Sequence, residues 1–363
     1  MGVLRRRGLL DFLLERQLNK PLARLDLAVV LALRLGIYQL RFLARIPPRA
    51  AVNESVELVK RARKASAGSL VNAVLRRSAE EATTPAEAFL PADLSLAARL
   101  SILESHPQWM IERWLARFGE AKTLALLQAN NRPPRLSCVL YDPSRRGTIF
   151  AELEKAGFKV EDGRLLRSAF AVSGGSLGAT LPFRDGRISI QDEASQAVAH
   201  LLNVQEGHRV LDVCAAPGGK TALLAQAAGS GGIVVAGDLH LHRLRALQDQ
   251  VKRLGLKRIY SVNLDAAEPL PFGTAFDRIL VDAPCSGTGT LSRHPEIRWR
   301  LRPEQLAELH RLQVGILSRA IATAKAGGKL VYSTCSLEPE ENEEVIAATL
   351  RGADSLRVVS RSE

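Results

Sequence analysis

The stretch VLDVCAAPGGKT, residues 210–221, decides the fold. An apolar run enters a turn that carries two glycines, and a helix starts near Lys220. Gly218 and Gly219 let the backbone of such a strand–turn–helix junction come close to a ligand. Neither common phosphate-binding pattern is present. There is no GxGxxG, and GxxxxGK[ST] would need glycine where Cys214 stands. The strand–turn–helix context still marks a cofactor site.

Outward from that turn the same grammar repeats. Strand-like runs occupy Arg209–Cys214, Ile233–Asp238, Arg258–Leu264, Arg278–Asp282 and Lys329–Thr334, most of them separated by helical stretches. This alternation predicts a largely parallel sheet with helices on both faces, an α/β domain over residues 187–363. Ligands of such sheets bind outside the carboxyl ends of the strands. Asp238 ends the second run, 20 residues after Gly218, where an acid can accept both hydroxyls of a ribose. Asp265 follows the third run and is a candidate for the adenine edge. The fourth run ends in LVDAPCSGTG (280–289) and the fifth in LVYSTCSLEPEEN (330–342), which places Asp282, Cys285 and Cys335 at one rim. Two thiols beside a glycine-rich turn fit plain packing poorly, whereas Cys138 fits it well. None of the four cysteines forms a CxxC pair, so no metal site is expected, and a disulfide framework is excluded as well.

The remainder divides in two. Residues 1–82 read as all-helical, with Leu22, Leu25, Leu27, Val29, Val30, Leu33, Leu35, Ile37 and Leu40 at helical spacing. Residues 83–186 read as a linker with two prolines, helices from His106 to Asn130, and a small α+β unit built from LSCVLYD, IFAELEKAG and FKVEDG. Trp109 and Trp114 are expected in the core. The chain has 363 residues and a net charge of +12; residues 1–80 hold 16 basic and 6 acidic side chains, leaving only +2 for the other 283. A localised basic field favours a polyanion, and nucleic acid is the expected partner. The longest apolar run is about seven residues, far short of the roughly 20 that span a membrane. Asp11 and Glu15 interrupt any secretory leader. A cytoplasmic protein, a monomer without membrane partners, is expected.

The motifs QDEASQ (191–196), DVCAAPGGKT (212–221), DAPCSGTGTLSRHPEIRW (282–299) and STCSLEPEEN (333–342) closely resemble the RNA cytosine-5 methyltransferases that use S-adenosyl-L-methionine. IPPRAAVNESVELVKRARK (46–64) and LVNAVLRR (70–77) resemble the NusB-like helical domain, and HPQWMIERWLARFG (106–119) the segment that follows it. The resemblance covers nearly the whole chain. It implies a Rossmann-like S-adenosyl-L-methionine-dependent domain preceded by an all-α NusB-like domain and a small α+β RNA-binding unit, acting on a cytosine of 16S ribosomal RNA. Cys335 is then the nucleophile that adds to C6, Asp282 bonds the cytosine edge near N3, and Cys285 helps to expel Cys335. Lys220 adds positive potential that favours a thiolate. Cys214, Ala215, Ala216, Pro217, Gly218, Gly219 and Lys220 line the methionine part of the cofactor, with Asp238 on the ribose, Asp265 on the adenine and Asp282 at the rim.

Other residues carry weaker expectations. Arg293, His294 and Arg298 could meet RNA phosphates or pack on their own domain. Glu338, Glu340, Glu341, Glu343 and Glu344 read as a capping acid cluster at a helix start. Both ends are short against the family, so a seven-stranded sheet is expected to lack its last strand and expose an edge. Two rivals stand beside the ribosomal reading: a transfer-RNA cytosine-5 methyltransferase, and an inactive RNA-binding assembly factor. A DNA enzyme with Cys285 of the Pro284-Cys285 pair as nucleophile is less favoured.

Overall fold

The computed structural model describes residues 1–351 and 355–359. The chain divides into two compact units, one of residues 1–133 with 290–301 and one of residues 134–289 with 302–363.

The first unit is helical. Its main helices are Arg7–Glu15, Leu27–Phe42, Pro48–Arg61, Gly68–Glu80, Leu96–Leu103 and Gln108–Asn131. The apolar stripe read from the sequence becomes a core in which Leu10, Leu14, Leu33, Val59, Val71, Val74 and Leu75 are fully buried. Helix ends follow local chemistry. The Asp26 side chain accepts from the Ala28 amide at the start of Leu27–Phe42, and Pro48 opens the next helix in its first turn, where a missing N–H costs nothing. Gly36 permits close helix packing, because a Cβ there would lie 2.4 Å from Leu75 Cδ1 and 2.8 Å from Ser55 Oγ. Gly119 (φ +74°) interrupts the helical geometry of Gln108–Asn131. Trp114 is buried and Trp109 half-buried, as the core expectation requires.

The second unit contains two sheets. The smaller is antiparallel, with strands β1 (Leu136–Leu140), β2 (Lys159–Asp162), β3 (Ala169–Ser173) and β4 (Ile188–Ile190) in the order β2-β3-β1-β4. Helix Arg146–Lys155 supplies Ile149 and Leu153 to its core, beside Cys138, Leu140 and Phe170. This sheet runs past residue 186, where the sequence reading had set its end, because Ile188–Ile190 pairs with β1 before the parallel grammar starts. The larger sheet is parallel, formed by β5 (Arg209–Asp212), β6 (Ile233–Asp238), β7 (Ile259–Asn263), β8 (Phe276–Asp282) and β9 (Ala324–Ser333) in the order β7-β6-β5-β8-β9. The order reverses direction at β5, so the crevice outside its carboxyl end is the expected ligand site. Among the described residues β9 is an edge of this sheet; the last four residues, within RVVSRSE, lie outside them.

Candidate active site

The β5 turn is built by sequence-local means. Gly218 adopts φ +103°, a conformation that side chains disfavour, and helix Gly219–Ala228 starts directly behind it. A Cβ on Gly219 would stand 3.4 Å from Gln191 Cδ, so the QDEASQ segment walls the turn. Gln196 holds that segment to the small sheet by donating to the carbonyls of Cys138 (3.0 Å) and Gln191 (3.1 Å). Two buried acceptors, Gln191 Oε1 and Asp212 Oδ1, have no hydrogen-bond partner among the described residues. Buried unpaired acceptors cost about 1–3 kcal/mol each. Both belong to segments that form the glycine turn and its wall.

Asp212 is fully buried, and burial pushes its carboxyl up to about 7 against the opposing hydrogen bond from Thr221 (2.7 Å). Burial likewise pushes the Cys214 thiol up to about 12, with the carboxylates of Asp212, Asp282 and Asp238 adding to it. Cys214 is therefore a lining residue and no thiolate. Ala215 and Ala216 are buried and Pro217 is exposed. Asp238 is buried at the end of β6. Its carboxylate accepts from the amides of His240 (2.9 Å) and Ala216 (3.3 Å) and lies 3.4 Å from Arg243, which also donates to the Ala216 carbonyl (2.6 Å). Asp265 is exposed, and its carboxylate accepts from the Ala267 amide (2.8 Å), a turn-forming contact.

The chemistry gathers at the ends of β8 and β9. Lys220 donates to Asp282 Oδ2 (2.7 Å) and Ser333 to Asp282 Oδ1 (2.8 Å), so the carboxylate is fixed from two sides. Cys285 Sγ lies 3.0 Å from Cys335 Sγ and accepts from the Cys335 amide at 3.3 Å. Cys335 is exposed and Cys285 half-buried. The hydrogen bond between the thiols lowers Cys335, against burial and Asp282 but with help from Lys220. The same bond raises Cys285, and burial adds to that. The hydrogen bond between the sulfurs therefore favours a negative charge on Cys335 over one on Cys285. Cys138 sits apart in the small sheet, its thiol pushed up to about 12 by burial.

The structure decides the open alternative at Arg298 for packing, and one expectation, at Glu341, fails. Arg298 belongs to the first unit and is 1% exposed, so it does not face a phosphate. It donates to Asn131 Oδ1 (2.8 Å) and to the carbonyls of Asn130 (2.8 Å), Ser105 (3.2 Å) and Arg5 (3.2 Å). His294 pairs with Glu296 at 3.3 Å. Glu341 does not cap a helix; it is fully buried and is bonded to the loops of both rim cysteines. Nothing in the sequence sets Gln191 apart within QDEASQ, whereas an acid at a strand end with an arginine five residues on is a signal for Arg243. Among the described residues no helix is long and apolar enough to cross a membrane, and no group of three or more His, Cys, Asp or Glu side chains could hold a metal ion.

Comparison with known proteins adds the following. The family described as 16S rRNA methyltransferase RsmB/F matches residues 199–363, the NusB family matches residues 1–80, and the RsmF/B-like methyltransferase ferredoxin-like domain matches residues 106–176. The probable ribosomal RNA small subunit methyltransferase B of Bacillus subtilis (strain 168) is 35% identical over 353 residues, 96% of this chain and 78% of the relative. The ribosomal RNA small subunit methyltransferase B of Citrobacter koseri is 35% identical over 354 residues, covering 96% and 80%. Among solved structures, the crystal structure of PH0851 superposes with a TM-score of 0.83 at 27% identity, covering 96% of this chain and 79% of that one. A methyltransferase homolog protein from Pyrococcus horikoshii gives 0.62 at 30% identity, covering 71% and 83%.

Proposed function

The chain belongs to the ribosomal RNA small subunit methyltransferase B family, and on that premise we propose that it methylates C5 of a cytosine in 16S ribosomal RNA through a transient bond from Cys335 to C6. Membership carries the coarser activity, S-adenosyl-L-methionine-dependent methylation of RNA. The observation that supports the finer reading is the 3.0 Å approach of two sulfurs at the ends of adjacent strands, beside a carboxylate held by a lysine.

S-adenosyl-L-methionine, when bound, supplies an electrophilic methyl group. The residues that would hold it are Cys214 to Lys220 around the methionine part, Asp238 at the ribose, Asp265 at the adenine and Asp282 at the rim. The base leaves any stack to enter the pocket. The Cys335 thiolate adds to C6, which turns C5 into an enamine-like carbon, a nucleophile that the aromatic ring itself does not offer. Asp282 bonds the base edge near N3 and shares a proton there while aromaticity is lost. Lys220 keeps Asp282 in place and favours the Cys335 anion. After methylation a water takes the C5 proton, the C5–H electron pair re-forms the C5–C6 double bond, and the Sγ–C6 bond breaks with its electron pair returning to sulfur. The Cys285 thiol assists that departure by donating its hydrogen to the leaving Cys335 sulfur.

The test is transfer of labelled methyl from S-adenosyl-L-methionine to unmethylated 16S ribosomal RNA, with transfer RNA alongside and with Cys285 and Cys335 replaced one at a time. Label on cytosine C5 of 16S RNA alone, lost in Cys335→Ala, is the expected result. Label in transfer RNA alone overturns the substrate, and normal turnover by Cys335→Ala overturns the mechanism. An adduct formed through Cys285 would reverse the two roles.

A further inference from the structure

Glu341 lies in a short 3-10 turn after β9 and is fully buried. A carboxylate is costly to bury and persists only where donors surround it. Its donors have a common property. The amide of Ser286 reaches Oε1 at 2.8 Å, and the Ser286 hydroxyl bonds Oε2. The Ser336 hydroxyl bonds the same Oε2. Gln313, on helix Glu304–Ile321, donates to Oε1 at 3.0 Å and to the Pro284 carbonyl at 2.8 Å. Ser286 follows Cys285 and Pro284 precedes it, while Ser336 follows Cys335. The backbone of Glu341 is itself tied to β9, because the Tyr332 hydroxyl donates to its carbonyl at 2.8 Å.

We propose that Glu341 is a positioning residue for the methyl-transfer reaction, a single carboxylate that clamps the Cys285 loop to the Cys335 loop and fixes the distance between their sulfurs. This rests on the two-thiol reading given above. The contacts around the clamp agree with it. The two serine hydroxyls lie 3.1 Å apart, Thr288 accepts from the Leu337 amide at 2.8 Å, and the Gly289 amide donates to the Cys335 carbonyl at 2.8 Å. The whole seam between the loops is polar and converges on Glu341. A seam of this kind is rigid when every member is bonded and loosens when its centre is removed. The Glu341 charge also adds to the raising of the Cys285 thiol, after the bond to Cys335 and burial.

The experiment uses the full chain with Glu341→Gln and Glu341→Asp. Its first readout is the rate at which diamide oxidises the pair to a Cys285–Cys335 disulfide, two thiols giving up two electrons and two protons to the reagent, with the bridge assigned by peptide mapping. Its second is the split of methyl transfer into kcat and KM for RNA. Cofactor affinity by calorimetry is the control for folding, because the Glu341 carboxylate bonds Ser286, Ser336 and Gln313, which lie outside the cofactor shell. Glu341→Gln is expected to slow disulfide formation at least tenfold and to lower kcat by about 10–100-fold, with KM and cofactor affinity within twofold; Glu341→Asp regains part of both. A wild-type disulfide rate and kcat in a Glu341→Gln protein that binds cofactor normally overturn the proposal. Should Glu341→Gln not fold, Ser286→Ala with Ser336→Ala removes the hydroxyls and keeps the carboxylate; an unchanged disulfide rate there overturns the proposal equally. A disulfide rate that falls in protein whose wild type methylates no RNA refutes the proposed reaction and leaves the clamp standing, so the two failures are separable.

Discussion

Asp212→Asn is the sharpest test of the electrostatics under the cofactor turn. Burial raises this carboxyl to about 7, against about 3.9 for a free aspartate, and three pH units correspond to about 4 kcal/mol at 1.36 kcal/mol each. The folded state keeps a proton that the unfolded chain has released, so this contribution to stability is full below pH 4 and is lost as pH rises through 7. Roughly 2.5 kcal/mol of the loss falls between pH 5 and 8. Asparagine cannot ionise, and its carbonyl still accepts from Thr221. The variant should therefore gain on the wild type by that amount between pH 5 and 8. Urea unfolding at four pH values reads this out. Trp109, Trp114 and Trp299 all belong to the first unit, so fluorescence follows that unit and circular dichroism carries the second. A difference between variant and wild type that stays flat within about 0.5 kcal/mol from pH 5 to 8 would falsify the assignment of the titration to Asp212.

Three further outcomes are expected. His106 is buried, lies against Trp114 at 5.9 Å between ring centroids, and is held well below its ordinary value by desolvation and then by Arg298; a depressed base costs stability only as pH falls below the unfolded value, so the fluorescence-monitored midpoint should drop from pH 7 to 5, and His106→Gln should flatten that slope. Arg298→Met strands three buried oxygen acceptors and one partly buried one at once and should destabilise the first unit by about 3 kcal/mol in the same fluorescence assay, where an unshifted midpoint would show that the clamp carries no load. Lys220→Met removes the 2.7 Å bond to Asp282 and the cation that lowers Cys335; kcat should fall about 100-fold, and the pH midpoint for alkylation of Cys335 by iodoacetamide should move up, a downward move being the refuting result.

Period and turn chemistry are local properties, and they made most of the fold legible. The five parallel strands lie where apolar runs end in Asp212, Asp238, Asn263, Asp282 and Ser333, and the helical first unit follows from the spacing of its leucines. The site was legible where a side chain stands at a strand end. It was not legible where burial decides a role. Glu341 and Glu343 look alike in LEPEENEE (337–344), yet Glu343 opens a helix and Glu341 is sealed between two loops. For Arg298 the sequence leaves phosphate contact and packing equally open, and four carbonyl-type acceptors from segments far away in the chain decide for packing. Neither partner set has a signature in sequence, because each is assembled only by tertiary packing.

The thiol pair shows how a register produces chemistry between residues 50 apart. β8 and β9 are parallel, with Asp282 opposite Ser333. Neighbouring strands stand about 4.8 Å apart, so the chain leaves both at the same height, and Cys285 and Cys335 follow three and two residues later. The facing of β8 toward the site puts the Asp282 carboxylate where Lys220 can reach it from the β5 turn, and β9 brings Ser333 to its other oxygen. Slipping β9 by one residue would turn Ser333 and Tyr332 to the opposite faces. That slip would part Asp282 from its donor, carry the Tyr332 hydroxyl away from the Glu341 carbonyl, and separate the two sulfurs. The parallel register, the fixed carboxylate and the buried Glu341 contacts thus depend on one another.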